Sequence, residues 1–222
     1  MGHEVEQINT PIPAADQETR QRLLEAAQRL FGERGFENVK VRDICSAAGA
    51  NVAAVNYYFR DKWGLYHEVI QILIGDMKQM SALAHDAGPG KTPEERLRHY
   101  IRTYLHHLLG EGRACWQGRL MAREMIDPTP ALDVVFEQGI LTNSRRVLAL
   151  VSEIMRRPAE DPQAGMCVGS IHTQMFGLAN PIAAKFAPKY TPEVIDAIAE
   201  HITSFSLAGI RAVAQQSAEV KA

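Results

Sequence analysis

Residues 36–65 read FENVKVRDICSAAGANVAAVNYYFRDKWGL, and this stretch decides how the N-terminal part of the chain folds. Val41, Ile44, Cys45 and Ala48 recur at steps of three and four, so a short helix over 41–48 with one buried stripe is expected. Gly49 follows where the chain must turn sharply and a positive φ is wanted. Asn51 is placed to cap a second short helix over 52–58, with Val55 and Phe59 pointing inward. Asp61 is placed to cap a third, running to about Leu83. Helix, tight glycine turn, helix is the arrangement whose second helix lies in a DNA major groove.

The outward face of that second helix holds Val52, Ala53, Asn56 and Tyr57. Small side chains let a helix approach base edges closely. Asn56 can offer a paired donor and acceptor to an adenine, and Tyr57 and Tyr58 can reach phosphates or thymine methyls. The competing reading of Asn56 is a solvated polar residue, and of the tyrosines, packing; one tyrosine is expected partly in the core and the other at the DNA backbone. Lys62 lies in the first turn of the next helix, where it opposes the helix dipole. A phosphate partner accounts for it better than plain solvation does.

Outward from this stretch the pattern is helical nearly throughout. Residues 1–15, with Pro11 and Pro13, are expected to be a flexible arm, and a helix from Asp16 carries Leu23, Ala27, Leu30 and Phe31 until Gly35 ends it. Thr92-Pro93-Glu94-Glu95 is a capping-box start, and Thr129-Pro130 and Thr191-Pro192 repeat the Thr-Pro device. Breaks fall at Gly88-Pro89-Gly90, Gly110 to Gly112, Asp127-Pro128, Arg157 to Pro162 and Ala187-Pro188. The expected fold is all-α, with about nine helices joined by short loops.

With 46% hydrophobic and 23% charged residues, the 222-residue chain is neither disordered nor fibrous. A formal charge of −2 argues against a wholly basic nucleic-acid binder. By region, however, residues 1–17 sum to −3, residues 18–62 to +2 and residues 63–222 to −1, so a modestly basic segment containing Lys40, Arg42, Arg60 and Lys62 is concealed. Cys45, Cys115 and Cys167 form no CxxC pair, which gives no disulfide framework and no zinc finger. The N-terminus lacks the basic and apolar regions of a signal peptide, and a cytoplasmic location is expected. The uncharged run Gln163 to Ala184 is long enough to cross a bilayer, but Ser170, His172, Thr173, Gln174, Asn180 and Pro181 favour a buried or subunit-contact helix over a membrane span.

GANVAAVNYYFRDKWGLY, preceded by ETRQRLLEAAQRLFGERGFENVKVRDI, resembles the DNA-binding domain of TetR/AcrR-family transcriptional regulators over about residues 17–77. The resemblance rests on the run from Ala27 to Phe36, on VRDI at Val41 to Ile44, on AAG at Ala47 to Gly49, and on Tyr57 to Lys62. It implies a three-helix domain at the N-terminus of an all-α homodimer, with a fourth helix leading to a ligand-binding domain. The implied layout is an arm at 1–15, a helix-turn-helix domain at 16–77, a ligand-binding and dimerisation domain at 78–215, and a tail at 216–222. Arg42, Ala54, Asn56, Tyr57, Tyr58 and Lys62 match positions that touch DNA in relatives. Val39-Lys40 stands where a Thr-Ser pair is common, losing a hydroxyl contact and a cap, with Lys40 substituting charge. Val52-Ala53-Ala54 and Asn56 also depart from the family's usual residues, so the operator sequence is not implied. Together with Asn51, the candidate DNA contacts are Lys40, Arg42, Val52, Ala53, Ala54, Asn56, Tyr57, Tyr58 and Lys62.

The remainder resembles the C-terminal domain of the CecR-like subgroup through GEGRACWQGRLMAREMIDPTPALDVVFEQGI and the Met166 to Phe186 segment. Tyr100, Tyr104, His107, Trp116, Met121, Phe136, Met175 and Phe176 are candidates for an apolar effector cavity with a few polar groups. Ordinary core is the competing reading, and Tyr104, His107 and Trp116 stand out because each brings a polar handle. A dimer surface is expected from two helices at 164–185 and 191–215, the first with Gly165, Gly169 and Gly177, the second with Val194, Ile198, Ile202, Phe205 and Ile210. No GxSxG, phosphate-binding glycine loop or HExxH is present, His99 and His106 lack a metal-ligand partner, and neither catalysis, a cofactor nor a metal is expected. Glu124 and Asp127 beside Arg119 and Arg123 are expected to be salt-bridging helix charges. The expected function is a homodimeric repressor released from a palindromic DNA operator by a small molecule. The alternative is a dimeric small-molecule-binding or scaffold protein whose helix-turn-helix no longer reads DNA.

Overall fold

The computed structural model describes residues 14–110, 114–178 and 190–219, and among these the chain is helical with short connections. In chain order the helices are α1 (Ala14–Arg34), α2 (Val41–Ala48), α3 (Val52–Phe59), α4 (Lys62–His85), α5 (Pro93–Leu109), α6 (Ala114–Ile126) and α7 (Ala131–Val135). A π turn (Phe136–Ile140) then leads into α8 (Leu141–Met155), followed by α9 (Pro162–Gly177) and α10 (Pro192–Glu219). Because α7, the π turn and α8 run on without a break, the described residues make nine helical rods, the number expected.

Two compact units part between Val69 and Ile70, inside α4. In the first, Leu23, Leu24, Ala27, Leu30 and Phe31 of α1 form one buried stripe. It packs with Val39, Ile44, Cys45, Ala48, Val55, Phe59, Leu65 and Tyr66, all at most 6% exposed. Each such large apolar side chain contributes about 1.5–3 kcal/mol when fully buried. Val41 is only half-buried, because it opens the first turn of α2 where the stripe has just begun. Val39, at the position where a family hydroxyl was noted as missing, is wholly buried.

In the second unit, Tyr100, Ile101 and Leu105 of α5 pack with Val147, Leu150 and Val151 of α8, Ile171 and Met175 of α9, and Ile195, Ile202 and Ile210 of α10. Helices α5 and α10 run antiparallel, stitched along their outer edge. Arg98 donates to both oxygens of Glu200 at 2.9 and 3.1 Å, and Arg102 to both oxygens of Asp196 at 2.7 Å. Such exposed pairs contribute about 0.2–1 kcal/mol each, so the apolar interior holds this pair together and the charges set its register.

The helix starts follow their caps. Glu95 N–H donates to Thr92 Oγ1 at 3.2 Å, while Thr92 N–H donates to Glu95 Oε2 at 2.8 Å, the capping box read from sequence. The Thr129 hydroxyl caps α7 by accepting from Ala131 N–H at 3.2 Å. Helix α9 begins earlier than expected, because Asp161 accepts from Gln163 N–H at 2.9 Å and Pro162 occupies the first turn, where no N–H is needed. It ends at Gly177 rather than continuing to Lys185; residues 179–185 of that expected helix lie outside the described residues, as does the Ala187-Pro188 break. The expected arm at 1–15 lies almost wholly outside them too, although α1 begins at Ala14. Glu124 is 2% exposed and accepts from Thr129 N–H at 3.1 Å and from its hydroxyl at 3.0 Å, closing the turn between α6 and α7.

Candidate nucleic-acid interface

The α2–α3 turn is built by two devices. Gly49 has φ 62° and ψ 38°, and a Schellman pair closes α2: Ala50 N–H donates to Cys45 O at 2.9 Å and Gly49 N–H to Ser46 O at 3.4 Å. Two residues on, the Asn51 side chain accepts from Ala54 N–H at 2.9 Å and starts α3. At the N-terminus of α2, the missing hydroxyl cap is partly replaced from the other side, since Lys40 N–H donates to the Asp43 carboxylate at 3.1 Å.

Helix α3 then buries Val55 and Phe59 and turns the other face out. Tyr57 is 75% exposed and Val52 41%, with Ala53 and Asn56 also exposed, while Ala54 and Tyr58 are half-buried. The two tyrosines differ in burial: the Tyr57 ring stands out and meets the half-buried Tyr58 ring edge-on, centroids 4.9 Å apart. Partial burial, followed by a hydrogen bond to the Asp16 carboxylate, raises the Tyr58 phenol above its ordinary pKa, tying α3 to the start of α1. Lys40 and Arg42 are exposed on and just before α2, whereas the Asn51 side-chain oxygen is already engaged as a cap.

The start of α4 holds what the sequence did not disclose. The Lys62 ammonium lies 4.1 Å from the centroid of the Phe36 ring, so this lysine has an intramolecular partner besides any phosphate. Phe36 in turn meets Trp63 edge-on at 5.2 Å and Tyr66 at 4.8 Å. Asp61 caps α4 through Gly64 N–H at 2.8 Å. A Cβ on Gly64 would fall 1.9 Å from the Phe59 carbonyl oxygen, so a glycine there is what lets α4 start against the end of α3. Arg60, between them, has φ 72° and ψ −50°, a strained backbone for a side-chain-bearing residue. The signal for these was present in the aromatic spacing of Phe36, Trp63 and Tyr66, but only their meeting in space shows that they cradle a cation.

Residues 23–69 match the model of the bacterial regulatory proteins, tetR family, and residues 93–210, more than half of the chain, match that of the HTH-type transcriptional dual regulator CecR, C-terminal domain. The chain belongs to the TetR family. Among curated relatives of this TetR-family regulator, the HTH-type transcriptional dual regulator CecR of Shigella flexneri is 28% identical over 140 residues, covering 60% of this chain and 62% of CecR. The probable HTH-type transcriptional regulator YttP of Bacillus subtilis is 35% identical over 81 residues, 36% of this chain and 39% of YttP. The chain thus spans less than two thirds of either relative. Among solved structures, the TetR-family transcriptional regulator SCO4454 from Streptomyces coelicolor superposes with a TM-score of 0.66 at 19% identity, over 88% of this chain and 97% of that one, which shows the shared fold.

In the CecR-type domain of this TetR-family chain, the eight candidate cavity residues separate. Tyr100, Tyr104 and Met175 are in the core at 0%, 8% and 0% exposure, while Phe136 and Phe176 are 49% and 45% exposed. Trp116 and Met121 are half-buried on α6, and His107 is exposed on α5. Tyr100 sits in a hydrogen-bonded relay crossing four helices. Ser81 Oγ donates to Asn143 Oδ1 at 3.0 Å, Asn143 Nδ2 donates to the Tyr100 oxygen at 2.8 Å, and Tyr100 lies 3.0 Å from His172 Nε2. A His172 imidazole protonated on Nδ1 accepts the Tyr100 O–H at Nε2 while the phenol oxygen accepts from Asn143. Burial pushes the Tyr100 phenol far above its ordinary pKa, with the neighbouring Tyr104 adding to the rise, and burial lowers that of His172. Both are neutral at physiological pH. Tyr104 is pushed up to about 12 by burial and meets the Phe176 ring edge-on at 5.8 Å.

The histidine grouping is structural. His106 Nε2 lies 2.6 Å from Asp196 Oδ1, and His99 Nε2 lies 3.1 Å from the Leu83 carbonyl. Among the described residues no group of His, Cys, Asp or Glu is arranged to hold a metal ion, and no helix is long and apolar enough to cross a membrane.

Proposed function

We propose that this TetR-family regulator is a homodimeric repressor that binds a palindromic operator and is released by a small molecule held in its C-terminal unit. The outward face of α3 carries the reading. Val52, Ala53, Asn56 and Tyr57 project from a helix capped at both ends, with Lys40 and Arg42 exposed nearby. Asn56 reads an adenine edge, Val52 and Ala53 permit close approach, and Tyr57, Tyr58, Ala54, Asn51, Arg42, Lys40 and Lys62 position the helix against the backbone. In a dimer two such helices enter successive major grooves roughly 34–36 Å apart.

Dimerisation is supported by the faces α9 and α10 leave uncovered. On α9 these are Gly165, Met166, Gly169, Ser170, Thr173 and Phe176, an uncharged strip in which Met166 is 71% exposed. Among the described residues a Cβ at Gly165, Gly169 or Gly177 would meet nothing within 4 Å, so packing against those residues does not require these glycines. On α10, Ile202 and Ile210 belong to the core, and Phe205, 65% exposed, is the large apolar side chain facing out. The C-terminal unit supplies the effector site, and an effector acts through its different affinities for DNA-competent and DNA-incompetent conformers, with a coupling of about 1–3 kcal/mol, or roughly 5–150-fold. We place the regulator in the cytoplasm, with DNA-binding and effector domains at 16–77 and 78–215, acting by binding rather than turnover.

Selection of the full chain on random duplex DNA tests this. The expected result is an enriched palindrome, with Asn56→Ala relaxing base preference at one position per half-site. A chain that enriches no palindrome at low salt is instead a dimeric ligand-binding or scaffold protein, the reading that the hydrogen-bond-poor Val52-Ala53-Ala54 face favours.

A further inference from the structure

Among the described residues, a buried amide of α6 meets a carboxylate of α4 and has its own oxygen left over. Gln117 of α6 is 7% exposed, and its Nε2 donates to the half-buried Asp76 carboxylate of α4. A carboxylate only accepts, which settles which end of the amide faces it. The amide's own geometry then holds Oε1 beside the same carboxylate. That oxygen is buried and has no hydrogen-bond partner among the described residues. A buried acceptor without a donor is costly, and native interiors rarely tolerate one without a use.

His107 of α5 lies in the field of Asp76. It is exposed over the whole residue, yet desolvation of the ring holds its pKa below the ordinary imidazole value, an effect the nearby negative charge of Asp76 opposes. Near neutral pH the ring is therefore uncharged and offers a lone pair. Around these groups the surface is apolar: Trp116 precedes Gln117, and Met121 follows it by one helical turn on the same face, both half-buried.

We propose that Asp76 and Gln117 hold the head of an effector that is an organic cation bearing N–H donors, a primary ammonium or guanidinium on an apolar body. The inference rests on the C-terminal unit being the effector domain and names the ligand class for it. An ammonium offers a positive charge to Asp76 and an N–H to Gln117 Oε1. A carboxylate would face a negative charge and unshared lone pairs, an alcohol lacks the charge, and a quaternary ammonium lacks the N–H. The body of the ligand lies along Trp116 and Met121, where an aromatic or alkyl chain replaces water.

The test uses the full chain with phenethylamine, octylamine and agmatine as probes, each set against matched compounds: 2-phenylethanol, 1-octanol, 3-phenylpropionate and phenyltrimethylammonium. Calorimetric titration and melting curves are expected to show at least one amine bound about tenfold or more tightly than its counterparts. Asp76→Asn, which can still accept from Gln117, removes that preference, and so does Gln117→Met, without lowering the melting temperature of the free chain. Amines that bind no better than the alcohols or carboxylates overturn the inference, as does a preference that survives Asp76→Asn. Should Gln117→Met fold poorly, the Asp76→Asn titration decides alone. Operator selection keeps the two readings apart. A palindrome released only by anionic or neutral compounds sinks the cation site and leaves the repressor standing, whereas amine binding without any selected DNA does the reverse.

Discussion

The Lys62 ammonium stands 4.1 Å from the centroid of the Phe36 ring, so the residue that opens α4 is held by the loop that precedes α2. The cation–π contact orders a charge close to the exposed face of α3. It contributes about 0.5–1 kcal/mol to stability at a partly exposed site. Lys62→Met is expected to lose that amount and to lower the salt slope of operator binding by about one unit. Phe36→Leu is expected to lower stability while leaving the slope unchanged, because the charge remains. Denaturant melts and binding titrations across a salt series measure both. An unchanged slope in Lys62→Met would remove Lys62 from the phosphate contacts.

Gly64 stands where a Cβ would lie 1.9 Å from the Phe59 carbonyl oxygen, and backbone cannot yield as a flexible side chain can. Gly64→Ala is expected to destabilise the N-terminal unit by about 1–3 kcal/mol, the usual range for overpacking. Since relief comes only by moving the end of α3, DNA affinity should fall further than stability explains. Binding measured well below the melting temperature separates the two effects.

Arg60 has φ 72°, a conformation that costs a side-chain-bearing residue about 1–3 kcal/mol. Arg60→Gly removes the strain but enlarges the unfolded ensemble, leaving a net gain of about 1 kcal/mol. A raised midpoint in denaturant with weaker DNA binding would show that Arg60 keeps its side chain for contact with the phosphates. A lowered midpoint would show that the backbone is not strained there.

His172 and His85 have pKa values lowered from 6.5, chiefly by burial. A depressed histidine pKa means that the unfolded chain binds protons first on acidification. Stability is therefore full above about 6.5, declines as pH falls below it, and stops declining from this source once the folded-state value is passed. Protonating His172 also ends its acceptance from Tyr100. His172→Gln is expected to flatten the stability profile between about pH 5 and 7. A profile as steep as that of the parent chain would assign the loss elsewhere.

Phe205 is 65% exposed on α10, so Phe205→Glu should leave the monomer fold intact. If α9 and α10 make the dimer, the variant sheds the dimer in light scattering and loses operator affinity, with an unchanged helical circular dichroism spectrum. A variant that remains dimeric moves the interface off this face.

Much of the N-terminal unit was legible because its signals are local. Gly49, Asn51 and Asp61 act on backbone groups within three residues, and each performs in the structure the turn or cap its chemistry requires. The Thr92–Glu95 box is of the same kind. The burial of Glu124 and its bond to Thr129 were less legible, because they depend on how the turn between α6 and α7 closes. Burial also decided the surroundings of two candidate cavity residues. Tyr100 and Tyr104 have polar handles suited to a ligand, but in the first of them the handle is taken by Asn143 and His172, far away in sequence.

The order of caps, glycine turns and apolar stripes along the chain determined the all-α class, the helix-turn-helix and the outward set Val52, Ala53, Asn56 and Tyr57, since helix periodicity and capping depend on neighbours a few residues apart. Which charges and acceptors find partners was decided only by tertiary structure. Phe36 beneath Lys62, the Ser81–Asn143–Tyr100–His172 relay and the unpartnered Gln117 beside Asp76 each depend on helices distant in sequence being packed together. Burial strips away water and makes every such pairing, or its absence, count for more than it would at the surface.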